Sequence, residues 1–291
     1  MILIGENINV MSNTIGPALK ERNAKPLQEL ARAETEAGVD YLELNIGPAR
    51  KEGDALMEWV VKTVQEVTDK PLSLDTTNPL AMEAGLKVHR GRALINSISL
   101  ARMEEELPLV KKYNADMIGL LWGRDGMPRD AAERGVIAVE LMYAANEMGI
   151  PSEEIFFDPI VTPAVNIESN QAKPCLDFMS MLNDIAPGCK SIVGLSNVSN
   201  GAPMHLRPYL NQTYLMMLMK YGLYSAIVDA FDDDIKKIAR GEQPKLVNLV
   251  HRVMDGEQPD PSSLSKEEIK YVKTVKVLNG ESLYTDSWLE L

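Results

Sequence analysis

Leu72-Ser-Leu-Asp75-Thr-Thr-Asn78-Pro79 is a short aliphatic run that closes on a carboxylate and passes into an asparagine followed by proline. A run of that length with β-favouring residues reads as a strand. Asn78 is a capping side chain and Pro79 a first helical residue, so a helix is predicted to begin there. Seven further runs occur, at Ile2 to Ile8, Tyr41 to Ile46, Ala93 to Ser97, Met117 to Trp122, Ile155 to Ile160, Ser191 to Asn197 and Ala226 to Asp229. Between them lie helical stripes such as Leu56, Val60, Val64 and Val67, or Ile137, Leu141, Ala144, Ala145 and Met148. Gly38 and Gly149 close the helices that precede the second and sixth runs, as glycine does where a helix must end left-handed. Strands alternating with helices imply a parallel α/β sheet. Eight such units without a composition break predict a (β/α)8 TIM barrel, since doubly wound sheets usually stop at five or six parallel strands.

Downstream of the eighth run the character changes. Phe231-Asp-Asp-Asp-Ile235, Lys236-Lys237, Gly241, Pro244 and Gly256-Glu-Gln-Pro-Asp-Pro261 precede a last helix near Glu267 to Leu278. Residues 232–265 are therefore expected to form an inserted or extended segment packed on the barrel, within a single domain spanning 1–291 that ends in a C-terminal helical extension. The acidic triplet reads as a helix cap in preference to a metal site, because carboxylates at a helix start satisfy free N–H groups and the helix dipole.

Composition narrows the function. A net charge of −12 over 291 residues repels phosphate backbones and anionic lipid, and no basic patch interrupts it. No apolar run approaches the roughly 20 residues that span a bilayer, and Met1-Ile-Leu-Ile-Gly-Glu-Asn7 carries no leader pattern, so a soluble cytoplasmic protein is expected, without nucleic acid or membrane as partner. Cys175 and Cys189 stand apart, and His89, His205 and His251 are scattered. Reduced thiols and no protein-held metal centre are the expectation.

Barrel enzymes carry their chemistry at the C-terminal ends of strands. Here those ends read Glu6-Asn7-Ile8-Asn9, Glu43-Leu-Asn45, Asp75-Thr-Thr-Asn78, Asn96-Ser97, Asp158-Pro159, Gly194-Leu-Ser-Asn197 and Asp229. Taken singly, each has a structural explanation: a helix cap for Asp75, a turn for Asn96 or Asn197, an extended dipeptide for Asp158, an inward polar layer for Glu6, Glu43 and Asp229. Their joint placement at one end of one barrel points to a ligand read by hydrogen bonds. Carboxylates accept paired donors and carboxamides do both, which suits a flat neutral heterocycle. A rim without lysine, arginine or histidine suits a phosphate badly, and neither GxGxxG nor GxxxxGK[ST] occurs.

At these residues the sequence resembles the pterin-binding methyltransferases that move a methyl group between tetrahydrofolate and a corrinoid protein. The likeness is to the methyltetrahydrofolate:corrinoid/iron-sulfur protein methyltransferase family and, more distantly, to the folate domain of cobalamin-dependent methionine synthase. It rests on Ile4-Gly-Glu-Asn-Ile-Asn9, Leu42-Glu-Leu-Asn-Ile-Gly-Pro48, Leu74-Asp-Thr-Thr-Asn78, Ile95-Asn-Ser97, Phe157-Asp-Pro159 and Gly194-Leu-Ser-Asn-Val-Ser199; the stretch 232–265 lies outside the compact family pattern. The resemblance implies that Asp75, Asn96 and Asp158 anchor the pterin, that Gly194 and Ser196 form the loop against the ring, and that the Asn197 amide reaches N5, which bears the methyl. Asn200 and Arg207 would assist substrate binding. Glu6, Asn9, Glu43, Asn45 and Asp229 are further candidates.

Tetrahydrofolate and its 5-methyl form are the implied substrates. The corrinoid would come on a partner protein, because the DxHxxG signature of corrinoid modules is absent. A homodimer is implied as well, and so is an anaerobic setting of acetyl-CoA synthesis or O-demethylation, with the direction of transfer left open. Two alternatives remain from the residues alone: a dihydropteroate synthase-like enzyme, which needs cations at its late strand ends for pyrophosphate, and a non-catalytic pterin-binding subunit.

Overall fold

In a computed structural model, which describes residues 1–290, eight parallel strands pair in chain order and close, β1 beside β8. The strands are β1 (Ile2–Gly5), β2 (Tyr41–Asn45), β3 (Leu72–Asp75), β4 (Leu94–Ile98), β5 (Asp116–Leu120), β6 (Ile155–Asp158), β7 (Lys190–Gly194) and β8 (Ser225–Val228). Around them run α1 (Ile15–Glu21), α2 (Ala24–Glu36), α3 (Gly53–Gln65), α4 (Pro79–Val88), α5 (Met103–Tyr113), α6 (Ala131–Glu147), α7 (Ala172–Ile185), α8 (Arg207–Met219), α9 (Asp233–Ala239), α10 (Pro244–Met254) and α11 (Lys266–Leu278). The TIM barrel expected from the eight runs is the fold observed.

Alternation along the strands divides the core in two. Leu42, Leu44, Leu72 and Leu74 join the large apolar layer between sheet and helices. Ile4, Leu94, Ile118, Phe156, Ile192 and Ile227 form a separate cluster inside the barrel. Because successive side chains point to opposite faces, Glu43, Asn45, Ser73 and Asp75 turn inward. Apolar residues fill the lower barrel and the polar inward positions fall at its C-terminal end.

Local signals are realised closely. Asn78 Oδ1 accepts from the N–H groups of Leu80 (3.0 Å) and Ala81 (3.4 Å) ahead of Pro79. Gly38 (φ +89°) and Gly149 (φ +74°) lie just past α2 and α6. Asp232 caps α9, accepting from the Ile235 N–H at 2.9 Å, so the acidic triplet serves as a helix start. Residues 232–265 contain α9 and α10, and α10 packs on α8 and α11.

Six of the predicted runs end one to three residues early, β1 and β7 by the most. β1 stops at Gly5, because Asn7 turns its N–H to the Glu34 side chain on α2 (2.9 Å). β7 stops at Gly194, and Leu195–Ser199 coil into a 3-10 turn. Both departures lift polar side chains out of strand geometry and over the barrel mouth. Among the described residues no helix is long and apolar enough to cross a membrane, and no group of three or more histidine, cysteine, aspartate or glutamate side chains is arranged to hold a metal. Cys175 is buried and Cys189 partly buried, both as free thiols.

Candidate active site at the barrel mouth

Strand register brings the first group together. Asn45 pairs with Asp75 across β2 and β3, and Asp75 with Asn96 across β3 and β4. The Asn45 amide donates to Asp75 Oδ2, and the Asn96 amide donates to Glu43 Oε1 at 2.7 Å. Two carboxylates and two carboxamides thus form one interlocked layer. Burial pushes the Asp75 carboxyl up to about 7, against the pull of the Arg102 guanidinium. Glu43 is raised well above the ordinary carboxylate range, by burial first and then by Asp75 and Glu6.

Asp158 closes β6 opposite that layer. Its Oδ1 accepts from the Ile160 N–H at 2.8 Å, and the backbone of Gly194 also favours the charged form; burial outweighs both and lifts the carboxyl to about 6. The third group surrounds a cavity of about 350 Å3 lined by residues including Glu6, Ser196, Asn197, Asn200, Arg207 and Asp229. Ser196 Oγ lies 2.5 Å from Glu6 Oε1. Asn197 sits where a Cβ on Gly194 would come within 3.0 Å of its Nδ2. Asp229 accepts from the Asn7 amide at 2.8 Å, and Arg207 Nε donates to the Ala202 carbonyl at 2.9 Å. Asn9 is at the edge of this arrangement, bridged to Asn45 but with its Oδ1 turned to the Met11 N–H (2.9 Å). Larger hollows of about 560 and 630 Å3 lie along Arg124 to Glu140 and between α10 and α11, away from these buried carboxyls.

Four residues escaped the sequence reading. Arg102, the residue before α5, donates to the carbonyls of Thr77 and Ser97, each at 3.1 Å, tying the loop after Asp75 to the loop after Asn96. The expectation of a cation-free rim is corrected on that point: Arg102 lies beyond the strand end, where reading strand termini could not find it. Arg134 on α6, Glu34 on α2 and Asn7, which was quoted at the end of the first run but given no role, are the others. The first two sit in helices within apolar stripes, and only their burial, 0% exposure for each, betrays them. A charge inside an apolar stripe is the signal that could have found both.

What the arrangement can do follows from its donors and acceptors. Buried carboxyls whose ionisation is disfavoured gain most from a ligand that brings N–H donors, because each bond made to the charged form recovers the cost of burial. A flat heterocycle with adjacent N–H groups on one edge supplies them. Barrel and mouth together define a TIM-barrel enzyme site for such a ring.

Comparison with known proteins gives that class its family. Residues 5–229 match the pterin binding enzyme family, and the chain belongs to it. It is 25% identical over 239 residues to the methylcorrinoid:tetrahydrofolate methyltransferase of Eubacterium limosum, covering 81% of this chain and 87% of that protein. The methionine synthase of Mycobacterium leprae is 24% identical over 273 residues, which is 89% of this chain but 23% of that larger protein. Among solved structures, the Yersinia pestis dihydropteroate synthase superposes with a TM-score of 0.65 at 16% identity, covering 84% of this chain and 93% of that one. The dihydropteroate synthase of Thermus thermophilus gives 0.61 at 22%, covering 84% and 94%. At these identities the structural likeness establishes the shared barrel.

Proposed function

We propose that this chain is a methyltransferase acting between N5 of tetrahydrofolate and the cobalt of a separate corrinoid protein, with 1–291 as one pterin-binding domain. What supports the reading is the mouth itself: Asp75 and Asn96 lie side by side on β3 and β4, Asp158 closes β6, and the chain leaves β7 through Gly194-Leu-Ser-Asn197, which brings a carboxamide to the same end of the barrel. The relative from Eubacterium limosum, matched over most of its length, supports the same assignment.

Asp158, as a carboxylate, accepts from the 2-amino and N3 groups of the pterin. Asp75 and Asn96 hold the remaining edge, and Gly194 and Ser196 form the surface on which the ring lies. A methyl group on a tertiary amine departs reluctantly, and its departure leaves an electron pair on N5. The Asn197 amide donates toward that atom and binds it more strongly as charge develops, which lowers the barrier without tightening ground-state binding. Asn200 and Arg207 border the same cavity and contact the rest of the substrate. A soluble homodimer in the cytoplasm, with the corrinoid protein docking over the open mouth, belongs to the same reading.

Calorimetry with 5-methyltetrahydrofolate in the presence of a chelator should give one molecule bound per chain. Single turnovers with purified corrinoid proteins, read by cobalt absorbance, should then show transfer. Binding without turnover would favour a pterin-binding subunit. Formation of pteroate from p-aminobenzoate would instead make the chain a dihydropteroate synthase, a reaction that Ser196 and Asn197 at the end of β7 equip poorly for expelling pyrophosphate.

A further inference from the structure

Glu6 follows β1, where its backbone N–H reaches the Val228 carbonyl at 3.0 Å and fixes it at the β1–β8 seam. Its carboxyl lies 2.5 Å from Ser196 Oγ, the residue before Asn197, and all three line one cavity. A hydroxyl can accept a proton on one side while donating another. Asp158 is assigned to the ring edge instead, with its Oδ1 accepting from the Ile160 N–H at 2.8 Å. From the glutamate and hydroxyl pair beside Asn197 we infer that Glu6, acting through Ser196, is the acid that supplies the N5 proton and the base that takes it back. This inference rests on the proposed methyl transfer.

The charges around Glu6 favour the role. Asp229 after β8, Glu34 from α2 and Glu43 from β2 present further carboxyls to it, while Arg207 at the start of α8 and Asp232 at the cap of α9 line its cavity. Its nearest charged neighbours are therefore acids. Burial and Asp229 push the Glu6 carboxyl up to about 7, against the Ser196 hydrogen bond. A carboxyl poised there holds a proton to give at neutral pH and accepts one as readily.

The step balances. When the methyl group leaves N5 for cobalt(I), cobalt contributes the pair of the new bond and the former N–C pair stays on nitrogen. That pair takes the Ser196 hydroxyl proton while the Glu6 carboxyl proton replaces it on Ser196. Glu6 is left as a carboxylate and is reprotonated from water, and the reverse transfer runs the same protons backwards.

The test compares wild type with Glu6→Gln and Ser196→Ala, measuring affinity for 5-methyltetrahydrofolate by calorimetry and single-turnover rates from pH 5.5 to 8.5 in both directions. Glu6→Gln should bind within about threefold of wild type and lose roughly 10²-fold in rate, a typical general-acid contribution. Wild type should demethylate the folate more slowly as pH rises through about 7 and methylate it faster, and both variants should lose that dependence. Should Glu6→Gln not fold, Ser196→Ala carries the test alone. Turnover with an unchanged rate and pH profile overturns the inference, as does a loss confined to affinity. A wild-type chain that binds folate yet transfers no methyl to any corrinoid protein overturns the proposed function and this inference together.

Discussion

Arg134 Nε donates to the Pro159 carbonyl at 2.7 Å, holding the residue that separates Asp158 from Ile160. The guanidinium is fully buried and also donates to the Asp130 carbonyl at 3.1 Å and to Gln171 Oε1 at 2.9 Å. Ile160 has a φ of +60°, a left-handed conformation that a β-branched residue adopts only when its surroundings impose it. In that conformation its N–H points at Asp158 Oδ1. Arg134 thus braces the strained turn that aims the Asp158 carboxylate, and its charge eases the ionisation of that carboxyl.

Replacing Arg134 with Met should therefore do two separable things. Loss of three buried hydrogen bonds from a charged donor should cost about 2 to 5 kcal/mol of stability, measurable by urea titration. In the fraction that folds, the pH below which 5-methyltetrahydrofolate binding fails should move upward, because Asp158 loses the neighbouring cation. A destabilised variant whose binding keeps the wild-type pH midpoint would reduce Arg134 to a packing role.

Asp158→Asn addresses the proposed anchor directly. A carboxylate is needed to accept two ring donors, and an amide can accept through one oxygen only. The substitution should weaken binding by roughly 2 to 5 kcal/mol, in line with broken buried charge pairs, and change kcat much less, since that ring edge is unaltered during transfer. With its carboxyl at about 6, wild-type affinity should fall below that pH as Asp158 is protonated. Titration calorimetry from pH 5 to 8 checks both, and equal affinities for the two proteins would remove Asp158 from the pterin edge.

The barrel was legible because the runs share one grammar, an aliphatic stretch leading into polar residues at the mouth: β2, β3 and β6 end on Asn45, Asp75 and Asp158, and β4 carries Asn96 two residues before its end. Asp75, Asn96 and Asp158 were visible for the same reason. What strand reading missed lies off the strands. Arg102 acts from the far side of a loop, Glu34 sits in the last turn of an amphipathic helix, and Arg134 is hidden in α6. Each was invisible because its partner is a backbone group or a side chain many residues away, a relation that local spacing does not encode. The early ends of β1 and β7 were missed on the same grounds, since contacts with α2 and across the mouth decide them.

Gly194 offers a way to move Asn197 without replacing it. Its φ of −75° is accessible to any residue, so Gly194→Ala should cost little backbone strain. The new Cβ would meet Asn197 Nδ2 at 3.0 Å, closer than such contacts tolerate, and the exposed amide should yield by a few tenths of an ångström. If that amide acts at N5, Gly194→Ala should slow single-turnover transfer while sparing stability, and Asn197→Ala should lose roughly 10²- to 10³-fold in rate, as removal of one preorganised donor does. A water taking the vacant place would recover part of that loss. Wild-type rates in both variants would exclude Asn197 from the chemistry.

Glu34 should make the stability of the protein depend on pH in the direction opposite to ordinary surface carboxylates. One oxygen accepts the Asn7 N–H at 2.9 Å, the other is buried without a partner, and burial, with Asp229 and Glu6 nearby, lifts the carboxyl to about 8. A carboxyl whose pKa is higher folded than unfolded binds more protons in the folded state, so its contribution is fully present below the unfolded value of 4.5 and is lost as pH rises through about 8. Glu34→Gln keeps the acceptor for Asn7 and stays neutral throughout. Relative to wild type, its melting temperature should climb from pH 5 to about pH 8 and level off above it, by roughly 2 to 4 °C for each kcal/mol the ionised carboxylate costs in a domain of this size. The other raised carboxyls at the mouth titrate in both proteins and largely cancel from the difference. Differential scanning calorimetry across that range measures it, and a melting-temperature difference that stays constant with pH would mean that Glu34 titrates in the folded protein as it does in the unfolded one.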